Sequence, residues 1–435
     1  MPRLGSFSSR IYFDSPQSGA SFTLIKTIAN PNDYGVRQND YFASSVAINN
    51  NYAVVGSRES DATAAENGKV YVFSSIGNTA YTIDNPTPTV APALGEGDRY
   101  GKAVACSASY IIAGAELEDA GGNTDTGRAY IHDITDGSLL FTLNNPNPST
   151  TKLTEIGDRF GSSVAISENY AAVAAPQEDN VGLGDDTGWI YIFDTSDGSL
   201  LHSIENPNID AEDEYPGDQL GDRVQTLAMN DTYTVVGSWR ENTFGPTGGG
   251  DSGAIHIITN ATGAIQTILN PNPNGPAVGT DNFDQFGQSV DISDNYIIAG
   301  AINEDVQGTN SGNAYIFELS GGTWTLARTL INPNVYNTVN NDNFGTEVVI
   351  TDTYCAVAAI EEDNASGTSS GAVYIFDPSD GTSLATLENP NSFGTVDNDK
   401  FGTVMSGSSN YLIVGLPEED AAGADNSGVA YIYKV

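Results

Sequence analysis

Seven times along this chain a bulky residue is followed by a small one at the same point of a recurring pattern. The pairs are Phe42-Ala43, Tyr100-Gly101, Phe160-Gly161, Leu220-Gly221, Phe286-Gly287, Phe344-Gly345 and Phe401-Gly402. A tyrosine follows each of them, at Tyr52, Tyr110, Tyr170, Tyr233, Tyr296, Tyr354 and Tyr411. Successive copies are 57 to 66 residues apart. A period of that length, repeated seven times, points to an array of supersecondary units that stack to bury what no single unit can bury alone.

The third copy, Asp158 to Pro207, shows what one unit is. Phe160–Ile166 reads as a first strand, and a two-residue Glu168-Asn169 turn leads to a second, Tyr170–Ala175. An acidic, Gly-rich stretch from Gln177 to Thr187 leads to a third, Gly188–Asp194. The Asp197-Gly198 pair is a strong hairpin signal and leads to a fourth strand, Leu200–Glu205. The Asn206-Pro207 step stops further pairing, because proline lacks the N–H that a ladder needs. No window carries a sustained 3.6-residue apolar period, so the unit is β. Seven four-stranded units predict an all-β, seven-bladed propeller. Its blades fall at about 40–86, 98–146, 158–207, 218–271, 284–333, 342–390 and 399–435 plus 21–31.

The ends of the chain fit that ring. Residues 21–31 (SFTLIKTIANP) match a fourth strand but precede the first copy, and the seventh copy stops after its third strand at Val435. Residues 21–29 are therefore expected to pair with 428–434, completing the last blade and removing an open sheet edge. The domain organisation is then a propeller over 21–435 and a separate N-terminal arm over 1–20, which carries Arg3 and Arg10.

Charge limits what such a disc can meet. With 16 Lys+Arg against 56 Asp+Glu the net charge is −40, which opposes nucleic acid and anionic membranes. No apolar run is long enough to span a bilayer, and the first 20 residues lack the apolar segment of a secretory signal. Cys106 and Cys355 stand four repeats apart and are expected to be buried, unbridged small hydrophobes.

The Phe-Gly element is followed some fourteen residues later by Ala174-Ala175-Pro176, Gly415-Leu416-Pro417, Gly114-Ala115-Glu116 or Gly300-Ala301-Ile302. That combination resembles the FG-GAP repeat. The resemblance covers all seven copies and implies the propeller that heads integrin α subunits, used for binding or adhesion. It departs from integrin-like members at one point. Where they carry a D-x-D-x-D-G calcium loop, this chain has tight hairpins such as Ser167-Glu168-Asn169 and Ser293-Asp294-Asn295. These offer too few oxygens for calcium's six to eight ligands, so neither that metal site nor a cofactor is expected.

Two acidic series remain. An Asp stands two places before each landmark: Asp40, Asp98, Asp158, Asp218, Asp284, Asp342 and Asp399. Its expected role is to accept backbone N–H bonds from a nearby turn. An acidic element also follows each second strand: Glu118-Asp119, Glu178-Asp179, Glu304-Asp305, Glu362-Asp363 and Glu419-Asp420, with Glu59 and Asp61 in the first blade and Glu241 in the fourth. Seven such loops predict an acidic ring of solvated carboxylates on one face.

The fourth blade deviates most. Leu220 replaces the aromatic landmark, and the loop SWRENTFGPTGGGDSG is the longest of its kind. It contributes Trp239, Arg240 and Phe244, an aromatic-plus-arginine set that suits partner recognition. His132, His202 and His256 sit in alternating strand patterns and are expected to be satisfied within the sheets. No nucleophile, phosphate-loop or zinc-protease motif is present, so no catalytic residue is assigned. The expectation is a non-enzymatic structural or adhesive surface protein, placed in a bacteriophage virion by the pairing of an extracellular-type scaffold with no secretion signal. Its arm would bind other virion or surface proteins, and its disc a host glycan or receptor. The alternatives are a secreted bacterial adhesin or lectin, and a propeller-built polysaccharide lyase or hydrolase.

Overall fold

The computed structural model describes residues 21–32, 39–60, 67–88, 97–119, 125–147, 157–179, 186–207, 219–241, 251–272, 283–334, 339–363, 367–390, 396–420 and 425–435. These form seven four-stranded antiparallel sheets, the blades of a seven-bladed propeller. The arm with Arg3 and Arg10 lies outside the described residues, as do Asp61, Asp218 and Phe244.

Blade three shows how local signals become a blade. Its strands are Val164–Ile166, Tyr170–Ala175, Trp189–Asp194 and Leu200–Glu205. The Glu168-Asn169 turn closes with Ser167 N–H donating to the Tyr170 carbonyl at 2.8 Å. At the Asp197-Gly198 turn, Gly198 takes φ 73°, which glycine adopts without a Cβ penalty. The third and fourth strands slip register between Ile192 and Phe193, and blades one, two, five and six carry the same slip. Such a bulge twists the outermost strand and blunts its open edge.

The ring closes through the N-terminal strand. Strand β1 (Thr23–Ala29) pairs antiparallel with β28 (Val429–Lys434), which continues into β27 (Tyr411–Leu416) and β26 (Val404–Gly407). Thr23 lies opposite Lys434 and Ala29 opposite Val429. The seam is also packed from inside. Ile28, Val404, Ile413, Ala430 and Ile432 share one buried cluster with Phe42, Val46, Tyr71 and Phe73 of the first blade.

The same repeat residues explain why the blades sit so close. A Cβ placed on Gly114, in the second strand of blade two, would stand 1.9 Å from the carbonyl oxygen of Gly161 in blade three. The Phe-Gly glycine of one blade and the glycine of the preceding blade's second strand are thus one contact, read in two places along the chain. Phe160 meanwhile lies 5.8 Å from Tyr191, centroid to centroid, and Phe286 lies 5.7 Å from Tyr315. Blade one departs from the pattern: Ala43 holds the glycine position at φ 65°. A side chain in the left-handed region costs about 1 kcal/mol, but Ala43→Gly also adds backbone entropy to the unfolded chain and removes a fully buried methyl, each worth about as much, so the variant is expected to be slightly less stable. A thermal melt lowered by about 1 °C is the expected reading; a rise of several degrees would contradict it.

Candidate functional site

The recurring carboxylates divide into two roles, and neither is the expected solvated ring. Glu118, Glu178, Glu241, Glu304, Glu362 and Glu419 are all buried. Glu178 accepts from Tyr191 Oη at 2.7 Å and from Asn147 Nδ2 at 2.8 Å. Glu304 accepts from Tyr315 at 3.1 Å and Asn272 at 2.7 Å, and Glu362 from Tyr374 at 3.0 Å. The neighbouring aspartates instead hold the loop. Asp119, Asp179, Asp305, Asp363 and Asp420 each accept a backbone N–H from five to seven residues further on. Only blade one breaks the glutamate series: Ser60 occupies the buried glutamate position there, and Glu59 is half-buried and paired with Arg58 at 3.3 Å.

The Asp series has a partner that the sequence did not show. Asp40, Asp98, Asp158, Asp284, Asp342 and Asp399 accept from the side-chain amides of Asn30, Asn85, Asn145, Asn270, Asn332 and Asn389, at 2.6 to 3.0 Å. These asparagines belong to the Asn-Pro steps that end the preceding fourth strands. A side-chain amide is thus one partner of each of these aspartates, because the Asn-Pro step folds back against the start of the next blade. In blades two, three, five and six the result is a buried Asn–Asp–Glu–Tyr network.

These networks hold carboxyls away from water. Burial pushes Glu178 up to about 7 and, with Asp284 facing it, Glu304 up to about 8. Burial pushes Asp284 and Asp342 up to about 7, with Asp305 and Glu362 adding to the effect. Burial and the facing Asp399 push Glu419 up to about 8. The partner tyrosines Tyr191 and Tyr315 rise as well, through burial and the facing glutamate.

The histidines are sheet residues. His132 contacts Tyr100 Oη at 2.9 Å and the Gly137 carbonyl at 3.1 Å, and His202 contacts the Asn260 carbonyl at 2.9 Å. His256 contacts Thr267 Oγ1 at 2.9 Å, but its Nε2 has no partner, so it is only half satisfied. Burial lowers both His132 and His256 to about 4, so they are neutral at pH 7. Cys355 is buried as expected. Cys106 is half-buried and lines the central cavity of about 240 Å³ between the first strands. Two carboxyls interrupt that mainly aliphatic lining: Asp291 accepts from Ile350 N–H at 2.7 Å, and Glu347 from Met405 N–H at 3.3 Å. Both caps satisfy backbone donors of the neighbouring innermost strand.

Blade four carries the arrangement that the networks do not absorb. Trp239 follows the second strand, Tyr233–Ser238, and is 5% exposed, so it is not the open recognition aromatic its loop suggested. The Arg240 guanidinium lies over its ring at 4.5 Å from the centroid and that of Arg223 at 4.9 Å. Arg223 was not expected here. Its side chain reaches Trp239 because blade four has extra residues between Leu220 and the strand Leu227–Met229, a departure visible as the longer spacing from Leu220 to Tyr233. With the Gln288 amide turned so that its oxygen faces the guanidinium, that oxygen accepts from Arg223 Nη1 at 2.7 Å. Neither arginine forms an ion pair with a described carboxylate within 4 Å, and Trp239 Nε1 has no hydrogen-bond partner.

Among the described residues no group of three or more His, Cys, Asp or Glu side chains is placed to hold a metal ion. No helix there is long and apolar enough to cross a membrane. The FG-GAP repeat profile matches residues 33–73, 90–132, 154–193, 277–317 and 336–376, which fall on blades one, two, three, five and six. A search of curated proteins finds no match to the chain.

Proposed function

Because the chain is a seven-bladed propeller built on FG-GAP repeats, we propose that it is a non-enzymatic adhesive or structural surface protein, carried on a bacteriophage virion as a decoration or tail-associated component. The FG-GAP propeller is an interaction and adhesion type of fold, and fold by itself fixes no chemistry. The observation that supports a binding role is the allocation of the carboxylates. The residues most like paired catalytic acids, such as Asp284 and Glu304, are buried and engaged with Asn270, Asn272 and Tyr315. Their neighbours hold the loops. What is left for an outside partner is the exposed disc face and the arm.

The arm, residues 1–20, supplies attachment in this reading. It brings Arg3 and Arg10 to a chain of net charge −40, whose discs repel one another and any acidic particle surface. A short basic segment can order on its partner without a preformed interface. The disc is then the displayed part, with a host glycan or receptor as its target. A chain beginning at Ser21 keeps β1 and tests this directly. It is expected to melt like the full chain and to be missing from the particle or oligomer that the full chain enters. Equal incorporation would place the attachment surface on the disc. Mass spectrometry of purified particles separates the virion assignment from that of a secreted adhesin, which would be recovered free in the medium.

A further inference from the structure

We propose that the face of blade four is a binding site for a single oxyanion group, held between the guanidiniums of Arg223 and Arg240 beside Trp239. The repeat contains its own control for this idea. In blade two the position equivalent to Trp239 is Glu116, two residues after the second-strand glycine Gly114, as Trp239 is two after Gly237. Glu116 is buried, yet Lys102 Nζ lies 2.8 Å and Arg99 Nη1 3.5 Å from its Oε1. Lys102, Arg159 and Arg99 outweigh the burial and hold that carboxyl below its usual range. A converging set of cations at this point of a blade therefore takes an anion, and in blade two the chain supplies it. Blade four has Gln219 and Asp222 at the positions of Arg99 and Lys102, brings the cations Arg223 and Arg240 to the ring from other positions, and puts an indole where the carboxylate would be.

Two further observations favour a ligand. Arg223 and Arg240 both lie beside the Trp239 ring and repel each other, and burial and that repulsion disfavour the Arg223 charge more than Asp222 favours it. An anion that both guanidiniums can reach relieves the repulsion and accepts charge-assisted bonds, which are about twice as strong as neutral ones. The second observation is the unpartnered, buried Nε1 of Trp239; those of Trp189 and Trp324 are unpartnered as well, but among the described residues only Trp239 has two guanidiniums over its ring. The size of the ligand follows from charge. A polyanion is repelled by the rest of a −40 chain over the Debye length of about 10 Å, whereas one carboxylate or sulfate on an uncharged carrier meets mainly the two arginines. The chemistry is that of an isolated sulfate or carboxylate, free or borne by an acidic sugar. Its use in host recognition rests on the display reading above, but binding itself does not.

The test is calorimetric titration of the full chain with sodium sulfate, sodium glucuronate, glucose and dextran sulfate, at constant ionic strength set with chloride. Sulfate and glucuronate are expected to bind saturably, glucose not at all, and dextran sulfate more weakly per sulfate group. Tighter binding of glucuronate than of sulfate identifies an acidic sugar as the source; tighter sulfate identifies the free ion. The double variant Arg223→Gln/Arg240→Gln is expected to weaken binding tenfold or more. Trp239→Glu, which installs the blade-two carboxylate, is expected to abolish binding while the melting curve stays cooperative. Binding that is unchanged in both variants, or no heat beyond that of chloride, overturns the proposal. The chain beginning at Ser21 should bind sulfate as the full chain does. A failure of particle attachment in that chain therefore leaves this site standing, and the reverse also holds.

Discussion

Acidifying the protein from pH 8 to pH 5 is expected to raise its melting temperature. The sign follows from the buried carboxyls. Glu178, Glu304, Glu419, Asp284 and Asp342 hold their protons up to about pH 7 to 8 in the folded chain. The same side chains in the unfolded chain lose them near pH 4. Between those limits the folded state binds more protons, so stability falls as pH rises through the window and is restored as it drops. Each tenfold gain in a carboxyl's proton affinity on folding corresponds to about 1.4 kcal/mol. Screening and relaxation reduce the nominal sum, leaving a change on the order of 3 to 5 kcal/mol between pH 5 and 8, or roughly 3 to 5 °C. The trend ends below about pH 4. There Glu116, held down by Lys102 and its neighbours, must take up a proton and give up its ion pairs.

Melts at pH 5, 6, 7 and 8 at fixed ionic strength check this, and a melting temperature that rises with pH would contradict the burial of the network. The double variant Glu178→Gln/Glu304→Gln keeps the amide-sized shape and one acceptor at each site while removing two titrating groups. It is expected to flatten the profile and to be more stable than the parent at pH 8. Loss of stability at all four pH values would mean instead that the ionised form holds the junctions together.

The fold was legible because it is written seven times. One Phe-Gly and one tyrosine per copy placed the blades, and the Asn-Pro steps ended them. The spare strand at Thr23–Ala29 and the missing one after Val435 implied the closure that β1 and β28 make. The site was less legible, for physical reasons that can be named. A Glu-Asp pair in a Gly-rich loop reads as solvated. Only the register that sets Tyr191 of the third strand against Glu178 shows that the first of the pair turns inward. The Asn donors to the Asp series were hidden because each Asn-Pro step looked complete as a strand stop, while its amide reaches an aspartate ten or more residues on. In blade four Trp239 and Arg240 stood out by rarity and were placed together. Arg223 did not, because its position depends on an insertion whose effect on side-chain direction no spacing rule gives.

Closure by β1 underlies the rest: the blade boundaries, the packing at the seam and the separation of arm from disc all assume it. Removing residues 1–31 takes away a strand with six registered partners, the buried Ile28, and the Asn30 amide that holds Asp40 at 2.7 Å. At about 1 kcal/mol for each lost ladder bond or buried contact, the loss is on the order of 5 kcal/mol. A domain of this size shifts by roughly 1 °C per kcal/mol. The decisive measurement is a calorimetric melt of chains beginning at Ser21 and at Asn32, the latter with and without a synthetic peptide of residues 21–31. The Ser21 chain should match the full chain, the Asn32 chain should melt about 5 °C lower or without cooperativity, and the peptide should restore part of the difference. An Asn32 chain that melts like the full chain would contradict the closed ring.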